Sequence, residues 1–439
     1  MIFVKKTFRG GVHPEDKKKL SADKPIEKMP LSKEYVVSLS QHVGSPAEPL
    51  VKKGDIVLKG QKIADKDGYI TSAIHSPTSG EVIDVKKMMH PFGQKVLSVI
   101  IKPDNLDKWA DLKINKLEDL SGQQIVEIVR EAGIVGLGGA AFPTHVKLSP
   151  PKDKKIDTLI INGVECEPYL TADYRLMLEE GERIIIGIKA ILKALNLNKA
   201  ILAIESNKPK AIQEMGKALK ADDSIKIVVL DTKYPQGSEK QLVEAITKRQ
   251  VPVGKLPADV GVIVQNVGTA KAIADAIIDG KPLIERVITV SGSNIKKPSN
   301  LIVRIGTKIS DIIDYCGSTF EKIEKIILGG PMMGIAAPSI DVPIIKGTSG
   351  IILLKKNDIV LYVPGPCIRC GKCIQVCPMG LAPARLMDSS ESRDFDDCMA
   401  ENILNCMECG SCAFVCPSRR PLVHWIKVAK SNIQKKLKK

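Results

Sequence analysis

The chain has 439 residues, 44% of them hydrophobic, and its 65 basic against 50 acidic side chains leave a formal net charge of +15. That length accommodates roughly two to four domains, and a surface so basic favours acidic proteins, anionic lipid heads or nucleic acid. Aromatic residues make up only 4% of the chain, and no basic stretch alternates with them, which argues against a stacking platform for nucleic acid.

The opening "MIFVKKTFRGG" has too short an apolar run for a signal peptide. The longest apolar stretches, such as 183–192 ("RIIIGIKAIL"), fall short of the ~20 residues a membrane span needs. A soluble or peripheral, cytoplasmic protein is expected. Nine of the eleven cysteines lie between 367 and 416, unlike the spread of a secreted disulfide scaffold.

Residues 1–30 read as an irregular Lys- and Pro-rich arm containing "TFRGGVHPEDKK". From 31 to 103, short alternating strands broken by Gly turns predict a small β-barrel or sandwich. Its phrases "VKKGDIVLKGQKIA" and "HSPTSGEVIDV" resemble the lipoyl/biotinyl-carrier fold, a barrel-sandwich hybrid. The resemblance implies a modifiable lysine at a hairpin tip, but that position falls near Tyr69 and the nearest lysine is Lys66. The scaffold is therefore expected without its swinging arm.

Between 118 and 283, helical and strand patterns alternate, and this predicts parallel βαβ units in a Rossmann-like α/β domain. "SGQQIVEIVREAG", "GERIIIGIKAILKAL" and "KPKAIQEMGKAL" are the helices; "DTLIING", "AILAIES" and "SIKIVVLD" are buried strands. Residues 284–335 resemble the soluble-ligand-binding β-grasp (SLBB) module. Connecting strands are expected over 336–365, a helical two-cluster domain over 366–425, and a basic tail over 426–439. That tail, with six lysines and no acid, is either a solvated, frayed terminus or a contact for anionic lipid or an acidic partner.

Two runs share the spacing C-x2-C-x2-C-x3-C-P: Cys367, Cys370, Cys373 and Cys377 before Pro378, and Cys406, Cys409, Cys412 and Cys416 before Pro417. This is the two-cluster ferredoxin pattern, in which the fourth cysteine of each run ligates the other cluster. Thiolates at i, i+3 and i+6 curl round one corner of a cubane, and the proline sends the fourth across. One [4Fe–4S] cluster (cluster 1) is thus assigned to Cys367, Cys370, Cys373 and Cys416, and the second (cluster 2) to Cys377, Cys406, Cys409 and Cys412. A pair of structural zinc sites would need only four thiolates per ion, and a doubled run ending in proline is not their habit. Cys316 and Cys398 belong to neither run and read as small buried apolar residues.

Ahead of the parallel sheet lies "GIVGLGGAAFPTHVK" (133–147), whose Gly136, Gly138 and Gly139 let backbone approach an anionic or flat ligand. Alone, such a run is as well read as a plain loop. With "INGVECEPYLTADYRLM", "YPQGSEKQL" and "VQNVGTAKAI", it resembles the flavoprotein subunit of respiratory complex I, which binds FMN and NADH. The resemblance implies that Gly136, Gly138, Gly139, Phe142 and Lys147 cradle the FMN phosphate, with the nicotinamide-containing ligand near Phe142. It implies that Asn162 hydrogen-bonds the flavin and that Glu165 belongs to an acidic segment. Glu167 is implied near the nicotinamide and is the candidate catalytic residue. Asn266 and Thr269 match a second flavin-contacting segment, and Glu239 one of two nucleotide-contacting acids, with Ser238 where the other would stand. Cys166 reads as structural. Without the resemblance, Phe142 would be ordinary core, Glu165 and Glu167 a solvated turn, and Lys147 one cation among many.

The whole order of segments is more specific. The "TFRGGVHP" arm, armless carrier, flavin domain, β-grasp, "LGGPMMG" and two cysteine runs resemble the C subunits of Rnf electron-transport complexes. What this implies is a peripheral subunit on the cytoplasmic face of the cell membrane, bound to integral membrane subunits and a ferredoxin-like subunit. It would carry FMN, NAD(H) and two [4Fe–4S] clusters and take part in ferredoxin:NAD oxidoreductase activity coupled to cation transport. Two readings compete: a soluble cobalamin-reductase-like flavin and iron–sulfur enzyme, and a ferredoxin-like docking adaptor lacking FMN.

Overall fold

Four apolar runs, Thr158–Gly163, Ala200–Glu205, Ile225–Leu230 and Val262–Asn266, form a wholly parallel sheet in the computed structural model, which describes residues 6–220, 222–318, 323–359 and 363–437. Successive side chains point to opposite faces, so Leu159 and Ile161 enter one core while Ile160 enters another. Both faces are covered, as a parallel sheet requires. Helices Gly122–Glu131, Gly181–Leu195 and Val267–Ile278 pack together over the larger core. The first starts on a capping box: Ser121 Oγ accepts from the Gln124 amide, and Gln124 Oε1 accepts from the Ser121 amide.

In space the strands run 225–230, 200–205, 158–163, 262–266. Chain order therefore reverses between Thr158–Gly163 and Val262–Asn266. In open α/β sheets, ligands bind beyond the carboxyl ends of the strands at this switch point.

The carrier-like module forms two small antiparallel sheets, one with strands Tyr35–Ser38, Lys95–Pro103, Gly80–Met89 and Ile56–Val57, the other with Glu48–Pro49, Lys62–Asp65 and Ile74–His75. Tyr69 lies exposed at the tip expected of the missing arm, and its hydroxyl donates to the Ser149 carbonyl at 3.0 Å. Lys66 pairs with Glu48 at 2.9 Å.

The β-grasp differs from its expected limits. Its six-stranded sheet includes Gly350–Leu354, between Glu285–Gly292 and Lys325–Leu328, so that part of the expected connection belongs to the sheet. Residues 360–362 of that connection lie outside the described residues. Cys316 is fully buried in this module.

The arm also departs from expectation. Residues 1–5 lie outside the described residues, but from Lys6 onward it is a strap across three modules. Ile26–Lys28 adds a parallel edge strand to the β-grasp beside Ser299–Arg304. The Lys18 side chain is buried, and its ammonium donates to the carbonyls of Glu165, Glu167 and Leu170. Val12 and Tyr234 exchange two backbone hydrogen bonds. Gly10, at φ +79°, passes so close to the cysteine domain that a Cβ would sit 2.9 Å from the Cys377 carbonyl. An irregular reading missed this because single residues, not a periodic face, make the contacts.

The cysteine domain is helical, built on Lys372–Val376, Pro383–Glu391, Phe395–Ala400, Ser411–Phe414 and Leu422–Leu437. The last helix corrects the frayed reading of the tail: Ile426, Ala429 and Ile433 are buried against Leu386 and Cys398. Lys430 donates to the Cys406 carbonyl at 2.7 Å and to Glu408 at 2.6 Å. Residues 438–439 lie outside the described residues. No helix among the described residues is long and apolar enough to cross a membrane.

Candidate functional site

At the switch point Asn162 and Asn266 are register partners, ending adjacent strands side by side. Asn162 Nδ2 donates to the Gly237 carbonyl at 2.8 Å, and its Oδ1 accepts from the Val164 amide. Asn266 Oδ1 caps helix Val267–Ile278 through the Gly268 and Thr269 amides, while its Nδ2 donates to Asp173 at 2.7 Å. Both asparagines thus shape the end of the sheet.

The glycine loop closes over them. The Gly136 amide donates to the Phe142 carbonyl at 2.8 Å, and buried Thr269 accepts from the Leu137 amide at 2.9 Å. A Cβ on Gly138 would lie 3.0 Å from Asn266, so the close approach needs glycine, whereas the space beside Gly139 is open. The Gly138 and Gly139 amides have no protein acceptor among the described residues. Two successive free amides, with open space beside Gly139, fit a phosphate group. Phe142 is half-buried beside them. Lys147, expected on the phosphate, pairs instead with Glu239 and donates to the Val264 carbonyl. Glu239, expected at a nucleotide, is therefore its counter-ion. Ser238 lies 3.9 Å from the Met407 sulfur.

The acidic segment is equally engaged. Glu165 accepts from the Asp173 and Tyr174 amides at 2.7 and 3.2 Å, where a carboxylate complements the start of helix Ala172–Glu179. Glu167, expected beside the nicotinamide, turns to the β-grasp and accepts from the Met332 and Met333 amides at 3.0 and 2.9 Å. Burial pushes its pKa up, against the pull of those two amides. Burial also drives the Cys166 thiol up to about 12, and its sulfur accepts from the Gly237 amide at 3.3 Å.

In the helical domain a small cavity of about 20 Å³ is lined by Cys377, Cys406, Cys409 and Cys412, the set expected for cluster 2. Leu381, Leu386 and Ile426 form apolar wall. Among the described residues no group of three or more His, Cys, Asp or Glu side chains is placed to hold a metal ion; what the four thiols share is one cavity, as the ligands of a single cluster must. The Leu381 and Glu408 amides donate to the Cys377 and Cys406 sulfurs, each at 3.4 Å. Burial raises Cys406 to about 11, so loading a cluster here displaces protons. For cluster 1, Cys373 and Cys416 flank the small core around Met387 and Leu422, while Cys367 and Cys370 are exposed. Arg420 lies beside Cys367. Cys398 is fully buried and 3.6 Å from Ser390 Oγ, apart from both sets.

The cluster 2 side of this domain faces the flavin module. Tyr234 Oη donates to the Cys409 carbonyl at 2.7 Å, Gln241 Nε2 lies 3.4 Å from the Met379 sulfur, and the Gly11 amide donates to the Val376 carbonyl. Met332, from the loop that Glu167 holds, packs with Cys409, Tyr234 and Val12. The sequence reading singled out none of Tyr234, Asp173 or Arg286. Tyr234 and Asp173 stood in quoted segments, but nothing local separates a buried Tyr or a first-turn Asp from its ordinary counterparts. Burial and nearby Glu165 raise the Asp173 pKa.

A nucleotide-type switch point with a phosphate-ready loop, joined to a domain with a four-cysteine cavity, defines a flavin and iron–sulfur electron-transfer protein. Family models match in the same order: the RnfC barrel sandwich hybrid domain over 6–106, the Nuo51 FMN-binding domain over 129–275, the SLBB domain over 287–336 and the 4Fe-4S dicluster domain over 363–419. The C subunit of the proton-translocating ferredoxin:NAD(+) oxidoreductase complex of Clostridium ljungdahlii is 50% identical over 97% of this chain and 94% of its own. Its counterpart in the Na(+)-translocating complex of Acetobacterium woodii is 45% identical over 97% of each. The C subunit of the ion-translocating oxidoreductase complex of Rhodobacter capsulatus is 44% identical over 98% of this chain and 84% of its own. An air-oxidized NAD+-reducing [NiFe]-hydrogenase shares the fold, with TM-score 0.51 and 16% identity over 75% of this chain and 72% of that one. The chain belongs to the family of C subunits of Rnf ion-translocating oxidoreductase complexes.

Proposed function

We propose that this chain is the subunit of an ion-translocating ferredoxin:NAD oxidoreductase complex that passes electrons between NAD(H), FMN and two [4Fe–4S] clusters. It works as a peripheral subunit on the cytoplasmic face of the membrane, beside integral membrane subunits and a ferredoxin-like subunit. Bound FMN exchanges two electrons with a hydride carrier and one at a time with iron–sulfur centres, so it belongs between them.

The observation that carries this reading is the direct seat of the cluster 2 cysteine loops on the flavin module through Tyr234, Met332 and the arm. The residues divide the work. The Gly138 and Gly139 amides would take the FMN phosphate, with Asn162, Asn266 and Thr269 shaping the pocket. Phe142 would border the nicotinamide. Lys147 and Glu239 fix one wall as an ion pair, and Glu165 fixes the helix behind Asp173. Glu167 sets the position of the methionine loop between the flavin module and cluster 2. The exposed cysteines of cluster 1 would face the outer electron partner. The relatives are named for a proton and a sodium complex, and this chain is similar to both; the ion path itself would lie in other subunits.

Anaerobic purification with iron, sulfide and FMN counted together, followed by NADH addition, tests the reading. Bleaching of the flavin followed by reduction of the clusters is expected. A chain that binds no FMN even on reconstitution would refute it in favour of a docking adaptor.

A further inference from the structure

We propose that Arg286 and Lys346, both supplied by the β-grasp side, are positioning residues that set the glycine loop as a phosphate-binding surface for FMN. This rests on reading Gly136–Gly139 as the flavin loop.

Arg286 lies at the start of the strand Glu285–Gly292, and its guanidinium reaches three carbonyls: Val287 at 3.4 Å, Leu137 at 3.1 Å and Lys346 at 2.5 Å. Lys346 donates in turn to the carbonyls of Gly133 at 2.6 Å and of Ala73, in the carrier-like module, at 2.7 Å. Two carbonyls of the loop segment, at 133 and 137, are thus held from behind by cations of another module. In a trans peptide the C=O and the following N–H point in opposite directions. Pinning the Leu137 carbonyl on Arg286 therefore turns the Gly138 amide the other way, off the side held by the β-grasp. Thr269 fixes the remaining polar group of Leu137 by accepting from its amide. The loop has little freedom left to rotate its amides away from a ligand.

Charge supports the same assignment. Lys147, the cation expected at the phosphate, pairs with Glu239 in a partly exposed contact. Arg286 and Lys346 are 7% and 1% exposed. Neither has a carboxylate within hydrogen-bond distance among the described residues. Burial lowers Lys346 to about 7 and Arg286 to about 10, the latter opposed only by Asp173. Buried Arg286, which stays charged at neutral pH, and Lys346 in its protonated form stand behind the loop and favour a phosphate dianion over a neutral group.

Affinities of FMN and riboflavin for the full chain, with its clusters in place, separate the phosphate from the rest of the flavin. Arg286→Gln and Lys346→Met each release a carbonyl of the loop segment and are expected to weaken FMN by about tenfold or more as the loop amides lose their alignment on the phosphate, while riboflavin changes little. Arg286→Lys, which keeps the charge and one donor, should fall between and covers the case in which the glutamine variant does not fold. Equal weakening of FMN and riboflavin, or unchanged FMN affinity in folded variants, would overturn the proposal. A wild-type chain that binds neither flavin would instead sink the flavin reading on which it rests.

Discussion

The hydroxyl of Tyr234 donates to the carbonyl of Cys409 at 2.7 Å, joining the flavin module to a cysteine of the cluster 2 cavity. Both residues are nearly inaccessible to water. Tyr234→Phe leaves that carbonyl without its partner, at a cost of about 1–3 kcal/mol. We expect NADH to reduce the flavin at the wild-type rate while electron transfer onward to the clusters slows. Rapid-mixing absorbance at flavin and cluster wavelengths reads the two steps separately; parallel slowing of both would refute the link.

Glu167 bonds two amides of the methionine loop at once. Glu167→Gln places an NH2 group against one of them and should cost about 2 kcal/mol. A lower melting temperature and slower NADH oxidation with artificial acceptors are expected together. Slow oxidation with unchanged melting would move this residue's role to the nicotinamide.

Asp107 joins the carrier-like module to the β-grasp, taking two hydrogen bonds of 2.6 Å from Arg304 and one of 3.0 Å from Lys59. Burial alone would raise its pKa, but these hydrogen bonds outweigh it and hold the carboxyl at about 2. Folding therefore favours the ionised form. The stabilisation is complete above the unfolded carboxylate range near about pH 4 and disappears as pH falls toward 2. Asp107→Asn should cost about 3 kcal/mol at neutral pH and flatten the acid limb of stability. An acid limb as steep as wild type in denaturant titrations would rule this out.

The two cysteine sets should respond differently to loss. Cys370 is exposed, so Cys370→Ala is expected to halve the bound iron and leave NADH–flavin chemistry intact. Cys409 is buried where the helical domain meets Tyr234 and Val12, so Cys409→Ala should also loosen that contact. Iron counts combined with limited proteolysis between the modules check both. Equal proteolytic sensitivity of the two variants would contradict the assignment of Cys409 to the contact.

Local spacing alone grouped the eight cluster cysteines, because three thiolates within seven residues are held together by the chain itself. Alternation of helical patterns with short apolar runs likewise announced the parallel strands, whose side chains enter cores on both faces of the sheet. Partners of the charged residues were decided only by the tertiary structure. Lys147 meets Glu239 across 92 positions, Glu167 meets Met332 across 165, and Arg286 meets Leu137 across 149. A long charged side chain carries no mark of its counterpart in the sequence; burial forces it to find one, and folding alone determines which group lies within reach.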